Sequence, residues 1–166
     1  MLLRGRAHKF GNDVNTDYII PSKYKSATTD MKEMAKHVME NVDPEFVKKV
    51  APGDFMVAGS NFGCGSSRET APVVIKAAGI SAVLAKGFAR IFFRNAINIG
   101  LPLLECEDAP DNIQASDTVE VDLAVGKIKN LKTGKTFTAK PYPDFMAGLI
   151  AAGGLIEYTK KRLAVK

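Results

Sequence analysis

Apolar runs and helix-like segments alternate in the middle of the chain. Three short runs are apolar throughout, as in strands buried on both faces: Phe55–Ala58, Ala82–Ala85 and Leu101–Leu104. The segments between them, Ser67–Ala78 and Ala89–Asn98, are predicted helices, and each is followed closely by a glycine that can end a helix. This alternation with short connections predicts a parallel sheet with right-handed crossovers.

The amino-terminal part adds one strand and two helices. Leu2–Phe10 is predicted to be mostly extended. The apolar residues of Met31–Val42 recur with helical spacing, and Asp30 with Glu33 forms a predicted capping box. We expect this helix to turn its methionine-rich face to the core, and Pro44–Val50 to form a second, short helix.

The carboxyl-terminal part is rich in short alternating segments. Three of them are predicted antiparallel strands: Thr118–Asp122, Ile128–Leu131 and Thr136–Ala139. Phe145–Ala152 is a predicted helix, and a last short helix begins at Leu155. The predicted fold class is α/β, with a central parallel sheet and additional antiparallel strands, and no linker divides residues 1–166.

Composition is that of a soluble globular protein. The 166 residues are 46% hydrophobic and 25% charged. No apolar stretch reaches the roughly 18 residues of a membrane-spanning helix. The first residues, Met1 to Arg6, carry charge too early for a signal peptide, so we expect a cytoplasmic protein.

Cysteine and histidine are too scarce for a metal centre within this chain. The two cysteines, Cys64 and Cys106, fit no metal-binding spacing, and the two histidines are His8 and His37. Iron–sulfur clusters are commonly held by three or four thiolates. We therefore expect no metal or cofactor bound by this chain alone, and His37 to be structural.

The chain is basic, with 23 lysines and arginines against 18 acidic residues and a net charge of +5. This excess suits either nucleic acid or a small anionic substrate or acidic partner. Most basic residues are scattered, apart from Lys160-Lys161-Arg162, and no zinc-finger or aromatic RNA-binding motif accompanies them. A nucleic-acid-binding module is therefore the less favoured alternative, as is a carboxylate-binding protein without catalysis.

The segment whose residues are most typical of a functional site is Asn61–Glu69, between a predicted strand and a predicted helix. Ligands bind beyond the carboxyl ends of parallel strands, where a helix amino terminus offers free N–H groups. Gly63 and Gly65 allow close approach of the backbone, and Arg68 offers a planar fork for a carboxylate. The combination predicts an anion site for a carboxylate or phosphate.

Common anion-site and nucleophile motifs do not fit this segment. The dinucleotide fingerprint fails because Arg68 stands where its last glycine belongs, and no Walker loop or serine-hydrolase elbow is present. A glycine-rich turn with Ser66 or Ser67 capping the helix is the structural alternative.

Four motifs together resemble the swivelling domain of the aconitase superfamily. They are N-F-G-C-G-S-S-R-E at residues 61–69, K-G-F-A-R-I-F-F-R-N at 86–95, N-D-V-N-T-D with I-I-P at 12–21, and A-G-G-L at 152–155. The resemblance covers nearly the whole chain. It is closest to the separately encoded small subunits of the isopropylmalate dehydratase and homoaconitase branches, and it implies a three-layer β/β/α swivelling domain.

The resemblance also implies roles and partners. In this family the large subunit carries a [4Fe–4S] cluster, and the small subunit closes over it to remove and restore water on a hydroxy-acid. By the same resemblance, Ser66 is the catalytic base, and Ser67 and Arg68 hold the substrate carboxylate. Thr70 departs from the histidine that often stands there. A homo-oligomer of the isolated subunit is also allowed.

The substrate is less well defined by this resemblance. Isopropylmalate-type loops resemble Y-L-V-Y and homoaconitase-type loops resemble Y-L-R-T, whereas this chain has Tyr24, Lys25, Ser26 and Ala27. Tyr24, Lys25 and Ser26 are the predicted side-chain contacts. Lys25 is either a solvated surface charge or the partner of a third carboxylate. Isopropylmalate is favoured, and homoaconitate, citramalate and 2,3-dimethylmalate are the alternatives.

Overall fold

The protein, described here by a computed structural model over residues 1–24 and 28–164, has a single seven-stranded sheet at its centre. The strands are β1 (Leu2–Lys9), β2 (Phe55–Ala58), β3 (Ala82–Ala85), β4 (Leu103–Glu105), β5 (Thr118–Asp122), β6 (Lys127–Asn130) and β7 (Thr136–Thr138). Their spatial order is β4-β3-β2-β1-β5-β6-β7. The predicted mixed α/β class is confirmed.

Strand β1 joins two halves of different character. On one side it pairs in parallel with β2, with His8 opposite Met56, and β3 and β4 continue in parallel. On the other side it pairs antiparallel to β5, with Gly5 opposite Val119, and β6 and β7 follow antiparallel. The sheet curls, so that side chains from both halves share one apolar core.

The helices of the described residues are α1 (Thr16–Ile19), α2 (Met31–Ala35), α3 (Phe46–Lys49), α4 (Thr70–Ala77), α5 (Arg90–Asn98), α6 (Ala109–Asn112), α7 (Asp144–Ala152) and α8 (Leu155–Ala164). Helices α1 to α5 pack on the face of the parallel half opposite the shared core, whereas Ala109 of α6 lies in that core and α7 packs against α5. Phe46, Phe62 and Phe92 are fully buried between these helices and the sheet. Among the described residues, no helix is long and apolar enough to cross a membrane.

The predicted helix Met31–Val42 is wrong in its second half. Helix α2 ends at Ala35, because the Met39 N–H bonds to the Ile19 carbonyl rather than continuing the helical pattern. Met34 and Met39 still face the core as predicted, whereas Val42 is 45% exposed. A contact distant in sequence therefore overrides the local helical periodicity.

The predicted start of the next helix at Ser67 is also wrong, because α4 begins at Thr70. Pro72 accounts for the difference. A proline inside a helix clashes with the carbonyl four residues earlier, here that of Arg68, and is tolerated only in the first turn. Residues 67–69 therefore stay non-helical, and the other predicted elements agree with the structure to within one or two residues at each end.

Asp54 is a buried carboxylate that fixes the entry to β2. It accepts the N–H groups of Arg6 and Ala51, both at 2.9 Å, and lies 2.8 Å from Nε2 of His8. Burial opposes its ionisation, but these hydrogen bonds and the nearby His8 outweigh that effect and hold the pKa of Asp54 below its usual value. The ionised form therefore stabilises the folded state.

We expect Asp54→Asn to lower the free energy of unfolding at pH 7 by about 1–3 kcal/mol, because buried donors lose a charged acceptor. The stabilisation by Asp54 is complete above the carboxyl's usual pKa of about 3.9 and is lost as pH falls through its lower folded-state pKa. Urea unfolding from pH 7 to pH 3 should therefore show wild type and variant converging in acid. The exposed Asp108→Asn is the control, and parallel curves for Asp54→Asn would contradict the interpretation.

Candidate active site

The loops that follow β1 and β2 run side by side and form the floor of the candidate site. The N–H of Asp13 bonds to the Ser60 carbonyl, that of Gly63 to Val14, and that of Thr16 to Cys64, at 2.7–2.9 Å. The parallel pairing of the two strands thus continues past their ends. This places residues 61–68 at the carboxyl edge of the sheet, where the sequence predicted an anion site.

A third segment supports the same loop from the other side. The Phe62 N–H bonds to the Gly87 carbonyl at 3.0 Å, and the Phe62 carbonyl accepts the N–H of Ala89 at 2.9 Å. The Phe62 ring packs edge-on against Phe88 and Phe92, with the Phe92 centroid 5.3 Å away. The motif at residues 86–95 therefore builds the wall of the site and begins α5.

Ser66, Ser67 and Arg68 gather at a cavity of about 190 Å³. Its other walls come from Thr16, Gly63, Gly65, Ala89, Arg90, Ile91 and Phe92. Ser66 and Ser67 are exposed at its edge, and the Ser66 carbonyl accepts a 2.8 Å hydrogen bond from the Thr16 hydroxyl. The structure thus fixes the backbone of Ser66 while leaving the residue accessible from outside.

Arg68 is a largely buried cation at the site. Its side chain is only 14% exposed; Nη2 lies 2.5 Å from Oδ1 of Asp17, and Nη1 donates to the Ile20 carbonyl at 2.7 Å. A guanidinium carries five N–H groups, so donors remain for a ligand. Asp17 and Ile20 therefore set the direction of the fork without using it up.

Of the predicted substrate contacts on the Tyr24 loop, the structure describes Tyr24, and it does not bring Tyr24 together with Ser66. The Tyr24 hydroxyl lies 2.8 and 2.9 Å from the two carboxylate oxygens of Glu40, and the residue does not line the cavity. Lys25 and Ser26 lie outside the described residues.

The two cysteines lie in different surroundings. Burial, aided by the nearby charge of Asp13, raises the pKa of the Cys64 thiol, which keeps it protonated at neutral pH. Cys106 is buried in the core shared by the two halves of the sheet, whereas Cys64 belongs to the loop that follows β2. Within residues 1–24 and 28–164, no group of three or more histidine, cysteine or acidic side chains could hold a metal ion. The residues of this chain do not fit an iron–sulfur cluster.

Two kinds of site residue escaped the sequence reasoning. Thr16 and Asp17 hold Ser66 and Arg68 in place, and Arg90 and Ile91 line the cavity. All four lie inside the motifs at 12–21 and 86–95. The motifs therefore contained these four residues, but they gave them no roles, because the residues that they contact are distant in the sequence.

A curled mixed sheet with a serine–arginine loop at its parallel edge defines the class of this protein, the swivelling α/β domains. Residues 9–109 match the family described as the aconitase C-terminal domain, and the chain belongs to that family.

The chain is similar to proteins from one branch of this family. The 3-isopropylmalate dehydratase small subunit of Caldicellulosiruptor bescii is 60% identical over 163 residues, covering 98% of both chains. That of Thermodesulfovibrio yellowstonii is 55% identical over 166 residues, covering 100% of this chain and 98% of the relative. The crystal structure of 3-isopropylmalate dehydratase (LeuD) from Methanocaldococcus jannaschii superposes with a TM-score of 0.94 at 50% identity, covering 99% of this chain and 97% of that one.

We expect Gly63→Ala to cost about 3 kcal/mol in the free energy of unfolding, measured with urea. Gly63 has a φ of +80°, and an added Cβ would lie 2.1 Å from Cγ of Phe92. Gly87→Ala is the matched control on the neighbouring segment, because nothing lies within 4 Å of its added Cβ. Equal stability losses for the two variants would contradict this account of the loop.

Proposed function

We propose that the chain is the small subunit of a 3-isopropylmalate dehydratase, which interconverts 2- and 3-isopropylmalate by removing and restoring water. The observation that carries the proposal is the accessible Ser66-Ser67-Arg68 loop, held by backbone pairing at the carboxyl edge of the sheet in a member of the aconitase C-terminal domain family. The relatives with this name cover the chain almost end to end.

In this proposal Ser66 takes the carbon-bound proton of the substrate. A serine hydroxyl is a poor base at neutral pH, so its surroundings must favour the charged form. The Arg68 guanidinium lies in the same cavity, and the amino terminus of α4 follows, where Glu69 makes no side-chain cap. Both place positive potential at the loop, and exclusion of water by a partner would strengthen it.

Substrate binding falls to Ser67 and Arg68. Arginine suits a carboxylate because its planar fork can donate two parallel hydrogen bonds. Asp17 and Ile20 already orient this fork, so little side-chain freedom remains to be lost on binding. Arg68 therefore fixes one end of the substrate while Ser66 acts on the neighbouring carbon.

The proposed partner is a large subunit that carries the [4Fe–4S] cluster. Two thiols are fewer than the three or four that commonly hold such a cluster, and the serine–arginine cavity is open to a covering protein. We propose that the chain acts in the cytoplasm as one swivelling domain that closes over this partner.

Other substrates and a nucleic-acid role are less favoured. The relatives described above are named for isopropylmalate, which favours that substrate over homoaconitate, citramalate and dimethylmalate. Several basic side chains are already paired with acidic ones within the chain: Lys36 with Glu33, Lys48 with Glu45, Lys49 with Asp43, Lys86 with Asp111 and Lys160 with Glu157. Such pairing weakens the basic footprint that nucleic acid would need.

We expect Ser66→Ala, assembled anaerobically with the large subunit, to lower kcat for isopropylmalate by about 10²–10⁴-fold, since that is the usual cost of losing a general base. Folding and subunit association should be unchanged, because the hydrogen bond at Ser66 uses its carbonyl. Ser60→Ala, on the same loop but outside the cavity, is the control. Activity of Ser66→Ala within about tenfold of wild type would refute the role.

A further inference from the structure

Glu40 collects three donors at one carboxylate. The Tyr24 hydroxyl lies within hydrogen-bond distance of both its oxygens, Nδ1 of His37 lies 2.8 Å from Oε2, and Nζ of Lys23 lies 3.0 Å from Oε1. Burial opposes ionisation of Glu40, but the donors outweigh it, and its pKa lies below the usual value. The carboxylate is therefore charged at neutral pH and holds all three groups.

The Tyr24 ring is held by a second contact. It stacks on the imidazole of His37 with centroids 3.8 Å apart and planes only 12° from parallel. Glu40 bonds to both stacked residues, so the hydrogen bonds and the stacking reinforce each other. Tyr24 is fixed in both position and ring plane.

An unusual backbone conformation brings Glu40 to this place. Helix α2 stops at Ala35, and Met39 adopts a φ of +61°, a left-handed conformation that a residue with a long side chain rarely takes. The Met39 N–H bonds to the carbonyl of Ile19 at 2.9 Å, which anchors the turn just before Glu40. A continued helix would have directed this part of the chain elsewhere.

The same turn connects to the arginine of the candidate active site. Ile19 belongs to α1, and the next carbonyl, that of Ile20, accepts the Nη1 hydrogen bond of Arg68. Asp17 of α1 binds Nη2 of Arg68, and its carbonyl accepts a 3.4 Å hydrogen bond from the Asn41 amide. A continuous series of hydrogen bonds therefore runs from Arg68 through α1 to the turn that carries Glu40.

We propose that Glu40 is a positioning residue for substrate selection, which fixes Tyr24 relative to Arg68. This rests on the proposed function, in which Arg68 holds a substrate carboxylate, and on the sequence-based prediction that Tyr24, which lies outside the Ser66–Arg68 cavity, contacts the substrate's side-chain end. With both anchors tied to α1, the separation between the two ends of the substrate is set by the protein. Glu40 itself touches neither the substrate nor the reacting atoms.

The test uses the assembled two-subunit enzyme with Glu40→Gln, Tyr24→Phe and the double variant. Gln keeps the shape of Glu40 but loses the charge that organises three donors. We expect KM for isopropylmalate to rise about tenfold in each single variant, with kcat within about threefold of wild type. The double variant should be no worse than the singles, because both break the same contact.

Two further measurements separate positioning from a merely structural role. In urea unfolding of the isolated chain, Glu40→Gln should lose less stability than Asp54→Asn, because the Glu40 side chain is 21% exposed and that of Asp54 only 5%. Glu33→Gln, an exposed carboxylate paired with Lys36 at 2.7 Å, is the matched control with unchanged KM. In nuclear magnetic resonance spectra, the ring protons of Tyr24 should lose their stacking-induced upfield shift in Glu40→Gln but not in Glu33→Gln.

The outcomes distinguish the two proposals. If the wild-type enzyme is active, three results would each overturn the role of Glu40 and leave the proposed function intact. They are an unchanged KM in Glu40→Gln, additive losses in the double variant, and a fall in kcat together with stability. A correctly assembled wild-type enzyme that does not isomerise isopropylmalate would overturn the proposed function, and with it the role of Glu40.

Discussion

The pairing of backbone between the loops that follow β1 and β2 is the constraint on which the site depends. Asp13 and Asn61 both adopt left-handed conformations, at φ of 54° and 60°, and their side chains bond to each other at 2.8 Å. Asparagine and aspartate tolerate this region better than other residues with a side chain. The loops are thereby locked in register, and Thr16 and Ser66 meet because of it.

Packing supports the same constraint from below. Gly63 lies so close to Phe92 that no side chain fits, and Phe62 is fully buried against the aromatic residues of the neighbouring segment. The loop that carries the accessible serines is therefore supported by buried aromatic side chains. A reactive group can be exposed and still precisely held when its backbone, rather than its side chain, carries the packing.

The parallel half of the fold could be predicted from sequence because its signals are local. Four-residue apolar runs such as Phe55–Ala58 contain their own evidence for a buried strand, and the strand is found as predicted. The predicted helix boundaries were wrong where the deciding interaction was distant in the sequence or had been overlooked. The Met39 N–H bonds to the distant carbonyl of Ile19, which ends the helical pattern there. Pro72 prevents the next helix from starting at Ser67, although the neighbouring residues favour it.

The candidate site, like the fold, could be predicted only in part from the sequence. The serine–arginine segment is recognisable because its residues are adjacent, and the structure gathers all three at one cavity. The bond between Arg68 and Asp17 joins residues far apart in the chain, and that between Tyr24 and Glu40 depends on a strained turn. No local pattern encodes either pair.

The position of β1 between the two halves of the sheet has a consequence for biosynthesis. Leu2 and Leu3 are made well before their antiparallel partners, Asp122 and Val121. Contacts of such long range are slow to form, and a strand waiting for them exposes its unpaired edge. The parallel half, which bears the serine–arginine loop, can assemble on the nascent chain, whereas the core shared with the antiparallel half cannot close until β5 to β7 have been made.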